Sequence, residues 1–330
     1  MTEKTSRASD EEASRDVGPM GAPAILSNEP GSFAWGVLAK RHPALIQQVR
    51  DAFPYGRRQR EALDALLDEI TNGVIEPLGP LERDNERWAD WRREYFGRSW
   101  YDAPFLWAES YFYRRLLGVV GYFGAGPWQG VDPFAPFKQA ELRGEAVEEE
   151  LRALDALADA PPHERATALL HASLWGNRAD LGFSLSAGEP GTTDAVTSVL
   201  TQAPGEASRI GGRLWKAMAV GTLEVRTHPF FCAPLPYEEM PEDLRVEFES
   251  ATLTILKGDL NYRRLVGDQL WHPTTPFADR TQYFPGAVAV LRTLKSDVIV
   301  GLEQETVDAL ELDGAAWRTS GTHALIQVRP

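Results

Sequence analysis

The chain has 330 residues, of which 43% are hydrophobic and 25% are charged, so its composition is that of a globular protein and excludes a wholly disordered or collagen-like chain. A formal net charge of −14 at pH 7 argues against binding to nucleic acid or to an anionic membrane surface. The single cysteine, Cys232, excludes an intrachain disulfide and a cysteine-based zinc site. No apolar run could span a membrane, and the N-terminus lacks the apolar stretch of a signal peptide, so we expect a cytoplasmic protein.

The first half of the sequence predicts an arm followed by helices. Residues 1–30 mix charged residues with Ser, Gly and Pro and show no apolar period, so we expect a disordered arm. Apolar residues then recur at helical spacing, which predicts a helical bundle domain over residues 31–175. Gly121–Pro136, rich in glycine, proline and aromatic residues, predicts a structured loop. The helices are predicted over residues 44–53, 62–70, 88–95, 104–117, 141–158 and 164–174.

The aromatic helix over residues 104–117 contains a carboxylate, Glu109, within an otherwise apolar stretch. Carboxylates on such a face are normally paired with a cation, because an unpaired buried charge is costly. We therefore expect an ion pair between Glu109 and Arg114 or Arg115 rather than a catalytic role.

The second half of the sequence, residues 176–330, has the pattern of an α/β domain. Short runs rich in Val, Ile, Leu and Thr alternate with helical patterns such as Pro241–Ser250. The fold class predicted for the whole chain is therefore α/β, with a helical first part. The strands are predicted at Thr222–Arg226, Thr252–Leu256, Ala287–Leu291, Val298–Gly301 and Ala324–Val328.

The densest polar cluster of the sequence, residues 257–264, directly follows one of these predicted strands. Ligands of open α/β sheets bind beyond the carboxyl ends of the strands. Asp259 and Asn261 could hold a metal, a metal-bound water or a sugar hydroxyl, and Arg263 could grip an anion. The alternative is an ordinary turn into a helix, with an acidic or amide cap and solvated arginines.

A second polar cluster, residues 292–297, follows the predicted strand Ala287–Leu291. Arg292 and Lys295 could supply two cations to a phosphate, and Thr293 could donate a hydrogen bond. The alternative is an exposed turn in which Lys295 pairs with Asp297. Parallel neighbouring strands would bring the two clusters together at one edge of the sheet.

A third polar cluster follows the helix predicted over residues 164–174. Asn177 and Asp180 in this cluster could line a pocket, or the segment could simply end the helix.

These clusters, in this order, resemble the acidic-residue-methyltransferase-like branch of the damage-control phosphatase family. The resemblance extends from Phe33 to Val328, and its most specific motifs are Lys-Gly-Asp-Leu-Asn-Tyr-Arg (257–263) and Arg-Thr-Leu-Lys (292–295). It implies an N-terminal helical bundle packed on a three-layer α/β/α domain. It also implies a phosphatase that uses a divalent metal (Mn²⁺, Co²⁺ or Ni²⁺) and acts on small phosphorylated metabolites such as sugar phosphates. A protein-glutamate O-methyltransferase activity that uses S-adenosylmethionine is the alternative attached to this branch.

The resemblance assigns roles residue by residue. Asp259 and Asn261 match positions that we expect to be catalytic, and Lys295 matches a phosphate-binding lysine. The other residues that match the family's motifs are expected to bind substrate. The sequence does not indicate the oligomeric state. The residues expected to bind substrate are Asp259, Leu260, Asn261, Tyr262, Arg263, Arg292, Thr293, Lys295 and Asn177.

One departure from the family pattern is serious. Family members carry an Asp-Asn-Ala-Gly-type motif and a Val-Ser-Asp-type motif that hold the metal, and neither is present between Asp180 and Arg213. The sequence therefore predicts an internal deletion near residues 200–203, a reduced sheet and unknown metal ligands, with Asp259, Asn261, Asp180 and Asp194 as possible replacements. The chain would then be an impaired phosphatase or a non-catalytic relic that still binds phosphosugars.

Overall fold

The computed structural model describes residues 21–79, 84–142, 160–175, 206–312 and 314–330, with isolated positions at 82, 145, 149, 152–153 and 156–157. The first part of the chain is helical, as predicted. A π-helical segment, Val37–Arg41, joins its first two helices. The helices are α1 (Phe33–Gly36), α2 (His42–Ala52), α3 (Arg57–Asn72), α4 (Asn85–Asp90), α5 (Phe105–Val120) and α6 (Ala135–Leu142).

Helix α5 forms the centre of the helical part, because its aromatic residues pack on every side. Trp107 and Tyr111 stack with ring centroids 4.7 Å apart, and their polar atoms donate to backbone carbonyls, of Trp91 at 2.9 Å and of Glu76 at 2.7 Å. His42 of α2 is fully buried and stacks on Phe112 with centroids 3.7 Å apart. The Glu109 carboxylate therefore belongs to a helix that is largely buried.

The second part of the chain confirms the predicted α/β class. Three of the predicted strands form, as β1 (Thr254–Lys257), β2 (Val288–Thr293) and β3 (Ala324–Arg329). They lie in the order β1-β2-β3, with β1 parallel and β3 antiparallel to β2. Helix α7 (Pro162–Trp175) ends the helical part, and the described helices of the second part are α8 (Glu206–Ala219), α9 (Glu242–Ser250), α10 (Asp259–Val266), α11 (Phe277–Thr281) and α12 (Gln304–Glu311).

Helices cover both faces of the sheet at the end of β2. Successive strand residues point to opposite faces. Arg292 reaches over the Tyr262 ring of α10, whereas the hydroxyl of Thr293 donates to the carbonyl of Leu174 in α7. Helices α10 and α7 therefore lie on opposite sides of β2, which is the layering expected of an α/β/α domain.

Two predicted strands do not form. In Val298–Gly301 the first three residues are buried, but their backbone groups bond to side chains and loops; the Val300 amide donates to the Tyr262 hydroxyl at 3.0 Å. Thr222–Arg226 is largely exposed, and Arg226 pairs with Glu224 and Glu247 on the surface. Apolar composition alone misidentified both segments, because among the described residues neither has a neighbouring strand with which to form a ladder.

Part of the predicted arm packs against the rest of the chain, and residues 1–20 of it lie outside the described part. Ile25 is buried in the same core as β2, and its carbonyl accepts from the Phe105 amide at 2.8 Å. Ala24 forms a bridge with Gln269. Residues 22–27 thus contact both parts of the chain. No helix of the described residues is long and apolar enough to cross a bilayer.

Candidate functional site

The turn from β1 into α10 presents the first polar cluster. Gly258 has φ +95° and ψ 165°, a conformation essentially reserved for glycine. Its amide donates to the carbonyl of Leu291 in β2 at 2.8 Å, which fixes the turn against the neighbouring strand. The turn places Asp259 at the first position of α10, at the carboxyl end of the parallel pair β1 and β2.

Asp259 and Arg292, predicted from separate clusters, are in direct contact. The Nε and Nη2 atoms of Arg292 both lie 2.8 Å from Asp259 Oδ1, and Ser296 Oγ lies 3.2 Å from the same oxygen. Arg292 is completely buried and also donates to the carbonyls of Val298 and Ser296. The guanidinium group of Arg292 thus donates to protein acceptors, and it fixes the position of the Asp259 carboxylate.

Arg263, predicted to grip an anion, is also held by protein carboxylates. Its Nε and Nη2 atoms donate to Asp268 at 2.6 and 2.9 Å, and its Nη1 donates to Glu109 at 3.0 Å. Burial disfavours the charge on Arg263, but Asp268 and Glu109 outweigh this effect and raise its pKa above the ordinary value. Its guanidinium carbon lies 4.5 Å from the centre of the Phe105 ring. Arg263 therefore joins α10 to α5.

The predicted pairing of Glu109 was wrong. Glu109 bonds to Arg263, whereas Arg114 lies 3.5 Å from Glu82 and Arg115 pairs with Glu69. Residues five positions apart on a helix do not share a face, so Arg114 cannot lie beside Glu109.

Asn261 and Tyr262 make their described contacts with the protein itself. The Asn261 amide oxygen accepts from the Tyr237 hydroxyl, and its nitrogen donates to the Lys257 carbonyl, both at 2.9 Å. The Tyr262 hydroxyl is bonded to both backbone groups of Val300, and burial raises the pKa of Tyr262 to about 12. Leu260, between Asp259 and Asn261, is half-buried.

The remaining predicted residues follow β2 or α7. Thr293 binds the last turn of α7, and Lys295, two residues beyond β2, is half-buried. Asn177 lies outside the described residues. Two further residues of this segment, Ser296 and Asp297, were not predicted as site residues, although they directly follow the Arg-Thr-Leu-Lys motif. Burial raises the pKa of the Asp297 carboxyl and the charge of Asp259 adds to this, against Arg318 and Arg292.

The acidic residues of this region do not form a metal-binding cluster among the described residues. Within the described ranges, no group of three or more His, Cys, Asp or Glu side chains could hold a metal ion. Asp259 is committed to Arg292 and Ser296, and Asp180 and Asp194 lie outside the described residues. The described residues therefore do not by themselves fit a divalent metal.

Comparison with known proteins assigns the chain to a family. The family model described as "Damage-control phosphatase ARMT1-like domain" matches residues 37–199 and 192–310, so the chain belongs to the damage-control phosphatases of this type. Membership in this family implies a phosphatase with a divalent metal.

Curated relatives support the same assignment. Damage-control phosphatase ARMT1 of Danio rerio is 24% identical over 90% of this chain and 94% of its own length. The Homo sapiens protein of the same name is 23% identical over 92% and 98%. The Mus musculus protein is 37% identical over 35% of this chain and 28% of its own length. The zebrafish alignment covers 431 positions, more than the 330 residues of this chain, so many positions of that relative lie opposite gaps.

Proposed function

We propose that this chain is an impaired member of its phosphatase family, which binds small phosphate monoesters such as sugar phosphates beyond the carboxyl ends of β1 and β2 and hydrolyses them slowly because its metal ligands are reduced. The observation that carries the proposal is the Asp259 carboxylate, fixed by the completely buried Arg292 at these strand ends. Lys295 follows the same end of β2. The family supplies the phosphatase class, and a cytoplasmic location fits such substrates.

In the proposed site, a cationic side chain binds the phosphoryl group of the substrate and a carboxylate binds its hydroxyl-bearing end. The ammonium group of Lys295 binds oxygens of the phosphoryl group, and Thr293 and Arg292 hold the strand end that carries it. The described contacts of Asp259 all involve Oδ1, so Oδ2 is proposed to accept a hydrogen bond from a sugar hydroxyl. A carboxylate beside a phosphate would repel it, so this oxygen suits the hydroxyl-bearing end of the substrate.

Asn261 takes a positioning role in this proposal. Its amide links the Lys257 carbonyl to the Tyr237 hydroxyl, which holds the turn before Asp259 in place. Arg263 acts similarly at the other end of α10, where Asp268 and Glu109 share its charge. Hydrolysis itself breaks the ester P–O bond with water and releases an alcohol and inorganic phosphate.

Family members need a divalent metal for turnover, and the described residues do not hold one. This favours a second candidate function, in which the chain binds phosphate esters with little or no turnover. The described residues offer no metal-holding group, and the two family-model segments meet at residues 192–199, next to the predicted deletion. A divalent metal normally supplies the main catalytic contribution by polarising the phosphoryl oxygen. We therefore propose that, compared with a family member without the deletion, this chain has lost more of its turnover than of its affinity for phosphate esters.

The test is calorimetric titration of the full chain with hexose phosphates, together with a phosphatase screen on the same esters and p-nitrophenyl phosphate, each with Mn²⁺, Co²⁺ or Ni²⁺. We expect Lys295→Ala to weaken ester binding about 10- to 100-fold, the value of a hydrogen bond to a charged group. The control Lys216→Ala, at an exposed position of α8, should bind as the original chain does. Equal ester binding by both variants, or no binding by the original chain, would refute the proposed site.

A further inference from the structure

A cavity lies in the helical part of the molecule, and none of its lining residues belongs to the site described above. It has a volume of about 340 Å³ and lies between the beginning of α3, the end of α5 and the loop that follows α5. This volume is at the lower end of the range for small-molecule sites.

Backbone hydrogen bonds hold the loop that forms one wall of the cavity. Gly121 ends α5 with φ +92°, and the amide of Tyr122 donates back to the Leu117 carbonyl at 3.0 Å. The amide of Gly130 closes the loop on the Tyr122 carbonyl at 2.9 Å. Trp128 in this loop packs on Tyr55 with ring centroids 4.7 Å apart. The cavity is therefore built into the fold.

The floor of the cavity carries a buried guanidinium group. Arg114 is 3% exposed, and its guanidinium carbon lies 4.1 Å above the Phe123 ring. The Arg114 Nη1 atom lies 3.5 Å from Oε2 of Glu82, a carboxylate that also accepts the Gly79 amide at 3.0 Å and is 38% exposed. Burial lowers the pKa of Arg114. The charge on this guanidinium is therefore costly where it stands.

The charge balance of the lining is positive. Arg58, exposed at the beginning of α3, adds a second guanidinium, whereas the described lining residues include one carboxylate, that of Glu82. Gly118 keeps space open beside this pair, because a Cβ atom there would lie 3.1 Å from both Arg114 Nη1 and Glu82 Oε2. Phe123 and Trp128 supply flat apolar surface in the same cavity.

From these features we propose that the cavity binds a small organic anion with one carboxylate and a planar apolar body. The carboxylate lies against Arg114 and Arg58, since the guanidinium group matches a carboxylate through paired N–H groups. The planar body lies along Phe123 and Trp128. A single negative charge on the ligand balances the lining.

The test is calorimetric titration of the full chain with benzoate and, as the neutral counterpart of the same shape, benzamide. We expect benzoate to bind at one site with a dissociation constant below about 10 mM, and benzamide to bind at least about tenfold more weakly. Arg58→Ala should weaken benzoate binding about fivefold or more, and Arg60→Ala, exposed on the same helix, should leave it unchanged.

Variants also separate this cavity from the proposed phosphate site. Gly118→Val should abolish benzoate binding by filling the space beside Arg114, with folding checked by circular dichroism. Lys295→Ala should bind benzoate as the original chain does. The proposal is wrong if benzoate does not bind, if benzamide binds equally well, or if Arg58→Ala has no effect. It is also wrong if Lys295→Ala, but not Arg58→Ala, loses benzoate.

Discussion

The guanidinium of Arg263 in α10 donates to the carboxylate of Glu109 in α5 at 3.0 Å, across 154 positions of the chain. Both groups are largely buried, with side-chain exposures of 2% and 16%. The motif predicted to bind the ligand thus contacts the helical part through a charge pair, and Asp268 completes the neutralisation of Arg263.

Glu109→Gln should destabilise the protein by about 1.5–3 kcal/mol, because it removes one of the two carboxylates that compensate a buried guanidinium. Urea denaturation would measure the change in the free energy of unfolding. Glu61→Gln is the matched control, since its pair with Arg57 is exposed, and it should change little. Equal stability of the two variants would contradict a structural role for the Glu109 pair.

Gly258→Ala should cost about 1–3 kcal/mol of stability, since φ +95° with ψ 165° is strained for any residue with a Cβ atom. No atom lies within 4 Å of the position such a Cβ would take, so the cost arises from the backbone alone. Gly212→Ala, within α8 and equally uncrowded, should instead stabilise its helix slightly. A Gly258→Ala variant as stable as the original chain in thermal unfolding would show that the turn adopts another conformation.

His42 should make the protein less stable as the pH falls. Burial, with Arg41 nearby, lowers the pKa of His42 to about 3 from its ordinary 6.5, so protonation favours the unfolded chain. The contribution of neutral His42 is complete above pH 6.5 and is lost as the pH falls towards 3, by at most about 1.4 kcal/mol per pH unit.

His42→Phe tests this contribution, because Phe preserves the stack on Phe112 and neither ring nitrogen of His42 has a hydrogen-bond partner among the described residues. Chemical denaturation between pH 7 and 5 should show a shallower pH dependence for His42→Phe than for the original chain. His163→Gln, at an exposed position, should leave the slope unchanged. Identical slopes for all three proteins would mean that His42 titrates normally.

Divalent metal should bind weakly or not at all. Divalent ions in catalytic sites take several oxygen or nitrogen ligands, and no such group is present among the described residues. We expect titration with Mn²⁺ or Co²⁺ to show no tight one-site binding, and phosphate release far below that of the zebrafish relative assayed alongside. Tight binding together with rapid phosphate release would show instead that acids such as Asp180 or Asp194 complete a site.

The strands that carry the site were predictable, because β1, β2 and β3 are short, rich in Val, Ile, Leu and Thr, and bounded by polar residues or glycine. Val298–Gly301 has the same composition but forms no ladder with the described strands, and its Val300 amide donates instead to the distant Tyr262 hydroxyl. The meeting of Asp259 with Arg292 followed from parallel neighbouring strands. The ion pair between Asp259 and Arg292 was not predictable, because a sequence can indicate that two charged groups lie close together but not that they bond to each other.

The partners of Arg263 lay beyond local sequence patterns for the same reason. Asp268 is five residues away but reaches Arg263 only because α10 ends in a left-handed turn at Gly267. Glu109 lies in another part of the chain, and only tertiary packing brings it close.

The Tyr262 hydroxyl, bonded to both the amide and the carbonyl of Val300, gives an irregular segment the solvent protection of a strand. Tyr262 and Val300 are both completely buried. In hydrogen exchange, the Val300 amide should therefore exchange as slowly as the amides of β2, because it opens only when α10 leaves the sheet. The exchange rate of one amide outside any strand thus reports how firmly the helix that begins with Asp259 is docked.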